Sequence, residues 1–496
     1  MNMLLLAVAL VSTWGNLDKG PYAVGYKVLD RYDYTRPYWM ARDLDGKPRT
    51  IERARPMRIS VWYPAAASNT PFMTLGDYID QMGAEDQMLT SLGDQQKRAG
   101  RAALYAFPVM RAATPEQRAK IDALTTLAQR NAPAASGRFP LILYSLGSAA
   151  PAAITPEYLA SHGYVVMQMP RLGEFAGLPQ DGPTDTLTKV LDTDFVLQTA
   201  HEIPSADRNV IGAIGFSAGG RWALSEAMRN RDVRAVVSLD SVMLFHDAAG
   251  DNWRRLPFYD VNAVQVPVLH MVRREFERQQ DAAIWESMRF ADRTQVVFDD
   301  PKLDHFDFQS LGYAMKLAGM RADAAVSIDE TFHRFNRLTL AFLDQHLKGA
   351  QPVAIAGDRL TVAHLAAAQP PAHLADVMNA IAEGKTEQAL KLAGKGIDVP
   401  EQTINLAGYN LLGAGRLDEA IRIFQMNVDA HPASANAYDS LADGYVATGN
   451  REKAAELARK AQALLETDTT IPAARKQAIR ESIEGKLNAA PPTLNR

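Results

Sequence analysis

Residues 209–222 read NVIGAIGFSAGGRW, and this stretch constrains the fold more than any other. A short apolar run, 210–214, leads into Gly215, Ser217 and Gly219, and a helix-like segment starts at Gly220. Strand, sharp turn and helix in that order are what a Gly-x-Ser-x-Gly nucleophile elbow requires, because its serine sits on a strained turn with little room around it. Glycines two residues before and after the serine let strand and helix pass close together. The turn then presents the Ser217 hydroxyl at the sheet edge, with the amide of Ala218 aimed at the same place. A chance glycine-rich turn is the competing reading; the flanking strand and helix favour the elbow.

The segments around it make a regular series. Residues 139–145 (FPLILYS) form a continuous apolar run typical of a buried parallel strand. A helix over 154–162 ends at Gly163, and 164–169 is the next strand. A helix over 184–200 precedes the elbow strand. Helix 221–228 follows it, then strands at 233–239, 266–272 and 294–298. An amphipathic helix over 331–347 closes the series at Gly349. Strands alternating with helices predict an α/β domain with a doubly wound, mainly parallel sheet. Upstream, 56–64 (PMRISVWYP) alternates and is expected as a strand. Between 65 and 137 the pattern turns polar and helical, with a good helix start at Thr114-Pro115-Glu116. It reads as a helical insertion, serving either packing or as a lid or substrate channel.

Beyond Gly349 the character changes. Residues 350–371 are rich in Ala and Pro and read as a linker. From 372 to 470 the sequence is helical and repeats: Gly415 and Gly449, Ala420 and Ala454, Leu411 and Tyr445, and Gly408 and Ala442 are each 34 residues apart. That is the period of tetratricopeptide-like helical hairpins, which need about three units to stack. A weaker third copy lies at 383–389, Pro432 breaks the chain between units, and 471–496 reads as a tail. An ordinary helical bundle is the alternative.

The 496 residues suffice for two or three domains. A net charge of −4 gives no reason to invoke nucleic acid or an anionic membrane. With no cysteine, disulfides, thiol catalysis and cysteine-ligated metal are excluded. The apolar run at 4–11 is too short to span a bilayer and matches a signal-peptide core, with 13–15 as a weak cleavage site, so residues 1–15 read as a leader and the chain as exported. No Lys or Arg precedes the run, and a buried strand is the other reading.

Ser217 needs a base, and the base needs an orienting acid, which in elbow enzymes follow in the order Ser, Asp or Glu, His. Ten histidines allow elimination. His162 and His201 precede the elbow; His364, His373 and His431 lie beyond the sheet region. His333 and His346 sit on the closing helix, His270 is inside a strand, and His246 follows strand 233–239 too closely. His305, in LDHFDF just past the last strand, is left as the base. For the acid two places stay open: Glu275 and Glu277, in a charged run RREFER that reads as a solvated face, and Asp240, at the end of VVSLDS. An aspartate ending a buried strand must be hydrogen-bonded, which favours Asp240. Two preorganised amides are needed for a developing oxyanion: Ala218 supplies one, and the loop 146–149 should supply the other.

The ordered set VWYP (61–64), YSLGS (144–148), GFSAGG (215–220), SLD (238–240) and HFDF (305–308) resembles the secreted α/β-hydrolases related to platelet-activating-factor acetylhydrolase and dienelactone hydrolase, over roughly residues 20–349. The resemblance implies an α/β-hydrolase domain, Asp240 as acid, His305 as base and the Ser148 amide as second oxyanion donor. The family usually has His-Gly in the glycine loop; here it is Leu146-Gly147. The reaction implied is cleavage of a small-molecule or lipid-like ester by a Ser217–His305–Asp240 triad, without metal or organic cofactor. Leu146, Phe175 and Met243 are expected near the site and hint at an uncharged acyl group. The repeats are expected to take a protein or peptide partner. Acyl transfer or peptide cleavage on the same triad, or a slow hydrolase fold whose repeats act as a binding module, are the alternatives.

Overall fold

The computed structural model describes residues 14–38, 53–84, 92–147, 150–174, 183–368, 374–383, 385–394, 400–467 and 473–488. The chain divides into two units, Met1–Gln369 and Pro370–Arg496.

The first unit is built on eleven strands: β1 (Ala23–Tyr38), β2 (Arg53–Ala65), β3 (Phe72–Thr74), β4 (Thr125–Arg130), β5 (Phe139–Leu146), β6 (Val165–Gln168), β7 (Ala206–Phe216), β8 (Val233–Leu239), β9 (Val268–Arg273), β10 (Arg293–Phe298) and β11 (Leu360–Leu365). They lie in the order β11-β10-β9-β8-β7-β5-β6-β2-β1-β4-β3. From β6 across to β10 every pair is parallel, which is the doubly wound sheet expected from the sequence. Both faces of these strands are covered. On β5, Ile142, Tyr144 and Leu146 join one core with Phe216, Phe308, Phe332 and Phe335, under helices Ile154–Ser161 and Ala325–Lys348. Leu141 and Leu143 point the other way, into a core with Val196, Trp222 and Trp253 from helices Pro183–Thr199, Gly219–Arg229 and Ala248–Arg254. Two buried faces are why these strands read as unbroken apolar runs. Gly349 ends the closing helix in the left-handed region, at φ +71°.

Three expectations are corrected. The stretch read as a linker contains β11, which pairs antiparallel with β10 from Leu360 to Leu365. As an edge strand exposed on both faces it carries no burial pattern to betray it. The insertion at 65–137 is not purely helical: β3 and β4 return to the sheet, β4 running parallel to β1. Its helices Leu75–Gln81, Asp94–Tyr105 and Pro115–Ala123 are as expected in kind, and the last starts at a Thr114 capping box with Pro115 at its first position. Finally, Trp14, placed in the leader, is folded into the core. Trp14 is 1% exposed and its indole donates to the buried Glu157 carboxylate at 3.1 Å. The apolar run at 4–11 lies outside the described residues.

The second unit is all helical. Helices Glu401–Gly413 and Ala435–Ala447 start 34 residues apart, as do Leu417–Ala430 and Arg451–Thr467. The repeated glycines do the same job: Gly415 (φ +75°) and Gly449 (φ +79°) end the first helix of each pair in the left-handed region. In both copies the next amide bonds back to the paired positions Leu411 and Tyr445, the Schellman closure. Gly408 is small because a Cβ there would meet the Phe424 ring at 2.3 Å. Leu374–Ala382 and Thr386–Ala393 make the preceding pair, offset by 31 rather than 34 residues from Leu417, with Gly384 outside the described residues. The expected tail is also corrected: Ala473–Asn488 is a helix, whose Ile479 and Ile483 pack on Leu465 while Lys486 bonds Asp439 at 2.7 Å. With two core residues in four turns, its apolar pattern is too thin to read.

Candidate active site

The elbow is set by where β7 ends. Phe216 pairs with Leu239 of β8 and Leu146 of β5, so the turn after it emerges between two strand ends. Ser217 takes φ +57°, a region costly for a non-glycine residue, and is held there from both sides. Its amide donates to Leu239 O at 3.1 Å, and its carbonyl receives the Gly220 amide at 3.1 Å. The helix Gly219–Arg229 starts at once. A Cβ on Gly219 would lie 2.2 Å from the Ser145 carbonyl, so only glycine lets the helix start pass over β5. Gly147 is needed likewise, since its Cβ would come within 2.5 Å of the Ala218 amide nitrogen. The glycine loop therefore runs against the amide expected to receive an oxyanion.

Asp240 follows β8 with φ +38° and is fully buried. Its own amide donates to Met271 O at 2.7 Å, fixing the turn against β9. Oδ1 accepts the Arg273 amide at 3.0 Å, while Oδ2 accepts Arg273 Nε at 3.0 Å and lies 2.7 Å from His305 Nδ1. The buried strand end is thus the polar-satisfied place the sequence required. Glu275 and Glu277, the other acid candidates, are taken by Arg273 and Arg274.

His305 opens a short 3-10 turn, His305–Phe308, which an Asp304–Asp307 capping box fixes. Its ring stacks on Phe216 at 4.5 Å, tilts against Phe276 at 4.9 Å and meets Phe306 at 5.6 Å. Phe216 is the residue before Ser217, so the stack seats the imidazole beside the elbow. With Nδ1 on the carboxylate, Nε2 is the nitrogen left to exchange a proton with a hydroxyl. The side chain is 20% exposed, against none for Asp240, so solvent reaches the imidazole but not the carboxylate. Asp307, two residues on, pairs with Arg321 at 3.0 Å, and burial pushes its carboxyl up to about 6.

Of the five site residues expected, the structure brings Ser217, Ala218, Asp240 and His305 to neighbouring strand ends; Ser148 lies outside the described residues, as does Phe175. Among the excluded histidines, His270 is buried between Ser238 and Gln280, where burial pushes its imidazole down to about 3, and His373 lies outside the described residues. Leu146 pairs with Phe216 beside the elbow, and Met243 follows Val242, whose amide donates to Ser217 O at 3.4 Å; both side chains are buried, in the two opposite cores. Aromatic residues surround His305, and the insertion reaches this cluster through Phe107, whose ring meets Phe306 at 5.6 Å. Arg273, Phe276 and Phe107 were not singled out from the sequence. The first two lie in the RREFER run, where the charge pattern hides an arginine that turns inward.

The network at the start of the loop after β6 is equally buried. Arg55 donates to the carbonyls of Gly173 (2.8 Å) and Leu172 (3.0 Å), and Lys189 to that of Pro170. Both pair with Asp192. Burial alone would raise this carboxyl, but Lys189, Arg55 and Arg36 outweigh it and hold it at about 2.

No family model matches the chain, and no curated protein matches it. Among solved structures it is similar to a ferulic acid esterase from Streptomyces cinnamoneus, with 17% identity over 71% of this chain and 99% of that one, at a TM-score of 0.50. It also matches an acylaminoacyl peptidase from Pyrococcus horikoshii, with 14% identity over 45% of this chain and 39% of that one, at a TM-score of 0.32. Together with the mainly parallel sheet and its flanking helices, the first of these likenesses gives the N-terminal unit the α/β-hydrolase fold.

Proposed function

We propose that the chain is a serine hydrolase that cleaves carboxylic esters. The observation that carries the reading is the 2.7 Å contact of His305 Nδ1 with the buried Asp240, its ring stacked on the residue before a serine held at φ +57°. Ser217 Oγ attacks the acyl carbon as His305 Nε2 takes its proton, and Asp240 holds the imidazolium and its tautomer. The Ala218 and Ser148 amides receive the oxyanion. Collapse of the tetrahedral species expels the alcohol, protonated by His305. Water, deprotonated by the same imidazole, then releases the acid and restores Ser217. These steps need only the ester, water and the chain's own residues. The phenylalanines around His305 favour an uncharged substrate, and the ester rather than amide preference is part of the same reading.

The test is turnover of p-nitrophenyl acetate, butyrate and octanoate by wild type and Ser217→Ala. Turnover lost in the variant supports the reading, and the chain-length profile sizes the acyl site. Equal rates in both proteins refute it. Added alcohols that divert the acyl group would mark a transferase, and cleavage of acyl-peptides a peptidase. Two further proposals follow from the sequence. Export rests on the apolar run at 4–11, and a peptide or protein partner rests on the helical hairpins, whose Leu406 and Val446 are 62% and 46% exposed. Among the described residues no helix is long and apolar enough to cross a membrane.

A further inference from the structure

Arg273 closes β9 and Asp240 follows β8, so the two leave neighbouring parallel strand ends. Asp240 Oδ2 is shared: it accepts Arg273 Nε at 3.0 Å and faces His305 Nδ1 at 2.7 Å. The Arg273 amide holds the other oxygen, so one residue fixes both ends of the carboxylate. The guanidinium lies 4.0 Å from the centre of the Phe276 ring, which in turn packs on the imidazole. Arginine and aspartate are 9% and 0% exposed, so water screens this cation little.

We propose that Arg273 is a positioning residue for the acid–base pair: it locks the Asp240 rotamer and withholds part of the carboxylate's charge from His305, so that catalysis switches on at lower pH. This rests on the esterase reading. A cation near an imidazole disfavours its protonated form, whereas an unshared carboxylate favours it. Other charged groups around the base are Asp304 and Asp307 on its own turn, with Arg321 on Asp307. On the β9 side Glu275, 70% exposed, takes Arg273 Nη1 and tempers its charge. An Arg273 substitution leaves Asp304, Asp307 and Arg321 in place.

The experiment is the pH dependence of kcat/KM with p-nitrophenyl acetate for wild type, Arg273→Met, Arg273→Gln and Arg273→Lys. Gln keeps an N–H donor without charge and serves as a second neutral variant. Loss of the cation should move the acidic limb up by about 1 pH unit and lower kcat roughly tenfold, and Lys should bring the limb back while restoring kcat in part. A limb that stays put in both neutral variants overturns the proposal and leaves Arg273 as a structural ion pair. If wild type turns over no ester, the esterase reading fails separately. Titration of the His305 ring by NMR then decides for Arg273: a higher midpoint in the neutral variants is expected, and equal midpoints refute it.

Discussion

Glu226 sets up a sharp pH test of the hydrolase unit. It lies on the helix that follows the elbow, 1% exposed, and neither carboxylate oxygen has a hydrogen-bond partner among the described residues. Arg229 is 3.9 Å away but is engaged by Asp194 at 2.9 and 2.8 Å. Burial, with Asp194 adding to it, pushes the Glu226 carboxyl from 4.5 up to about 8. The sign follows from which state binds the proton. Between about pH 4.5 and 8 the folded chain keeps it and the unfolded chain has lost it, so stability falls as pH rises through this window. The gross loss by pH 8 is about 5 kcal/mol, at about 1.4 kcal/mol per pH unit. Glu226→Gln keeps the shape and cannot ionise, so it should match wild type near pH 4.5 and exceed it by roughly 3 to 5 kcal/mol at pH 8. All six tryptophans precede residue 286, so their fluorescence during urea unfolding reports this unit alone. If the two proteins keep the same difference in midpoint at both pH values, Glu226 is not a buried acid and the reasoning fails.

Other consequences are as direct. Gly219→Ala should abolish turnover and cost about 2 kcal/mol or more, because its Cβ would stand 2.2 Å from the Ser145 carbonyl; kinetics and urea midpoint read both. Trp14→Ala should lower stability by about 3 to 5 kcal/mol, since it empties a core site and removes a donor from buried Glu157, which thermal unfolding would show. Gly449→Ala meets nothing within 4 Å but keeps φ +79°, so a loss of about 1 kcal/mol through the backbone alone is expected, visible as a lower helical melting transition by circular dichroism.

Signals confined to a few neighbouring residues were legible. The elbow could be read because glycine spacing and a strand–helix switch are local, and the 34-residue repeat because its glycines end helices in identical closures. The contact between His305 and Asp240 could be anticipated from chain order and from the cost of an unpaired carboxylate at a buried strand end. What escaped depends on contacts between distant segments. Nothing local marks Arg273 as the one arginine of RREFER that turns inward, because β8 supplies its partner 33 positions earlier. Trp14 looked like the edge of a leader because its partner, Glu157, is 143 positions away. Strand β11 lacked a pattern because neither of its faces is buried.

The account stands on Ser217 being the nucleophile, and covalent capture tests that most directly. The full-length protein would be treated with a fluorophosphonate and the adduct mapped by mass spectrometry of its peptides, in wild type, Ser217→Ala and Asp240→Asn. One adduct on the peptide carrying Ser217 is expected, absent in Ser217→Ala and formed at least a thousandfold more slowly in Asp240→Asn. An unlabelled Ser217, or ester turnover that survives its replacement by alanine, would contradict the account.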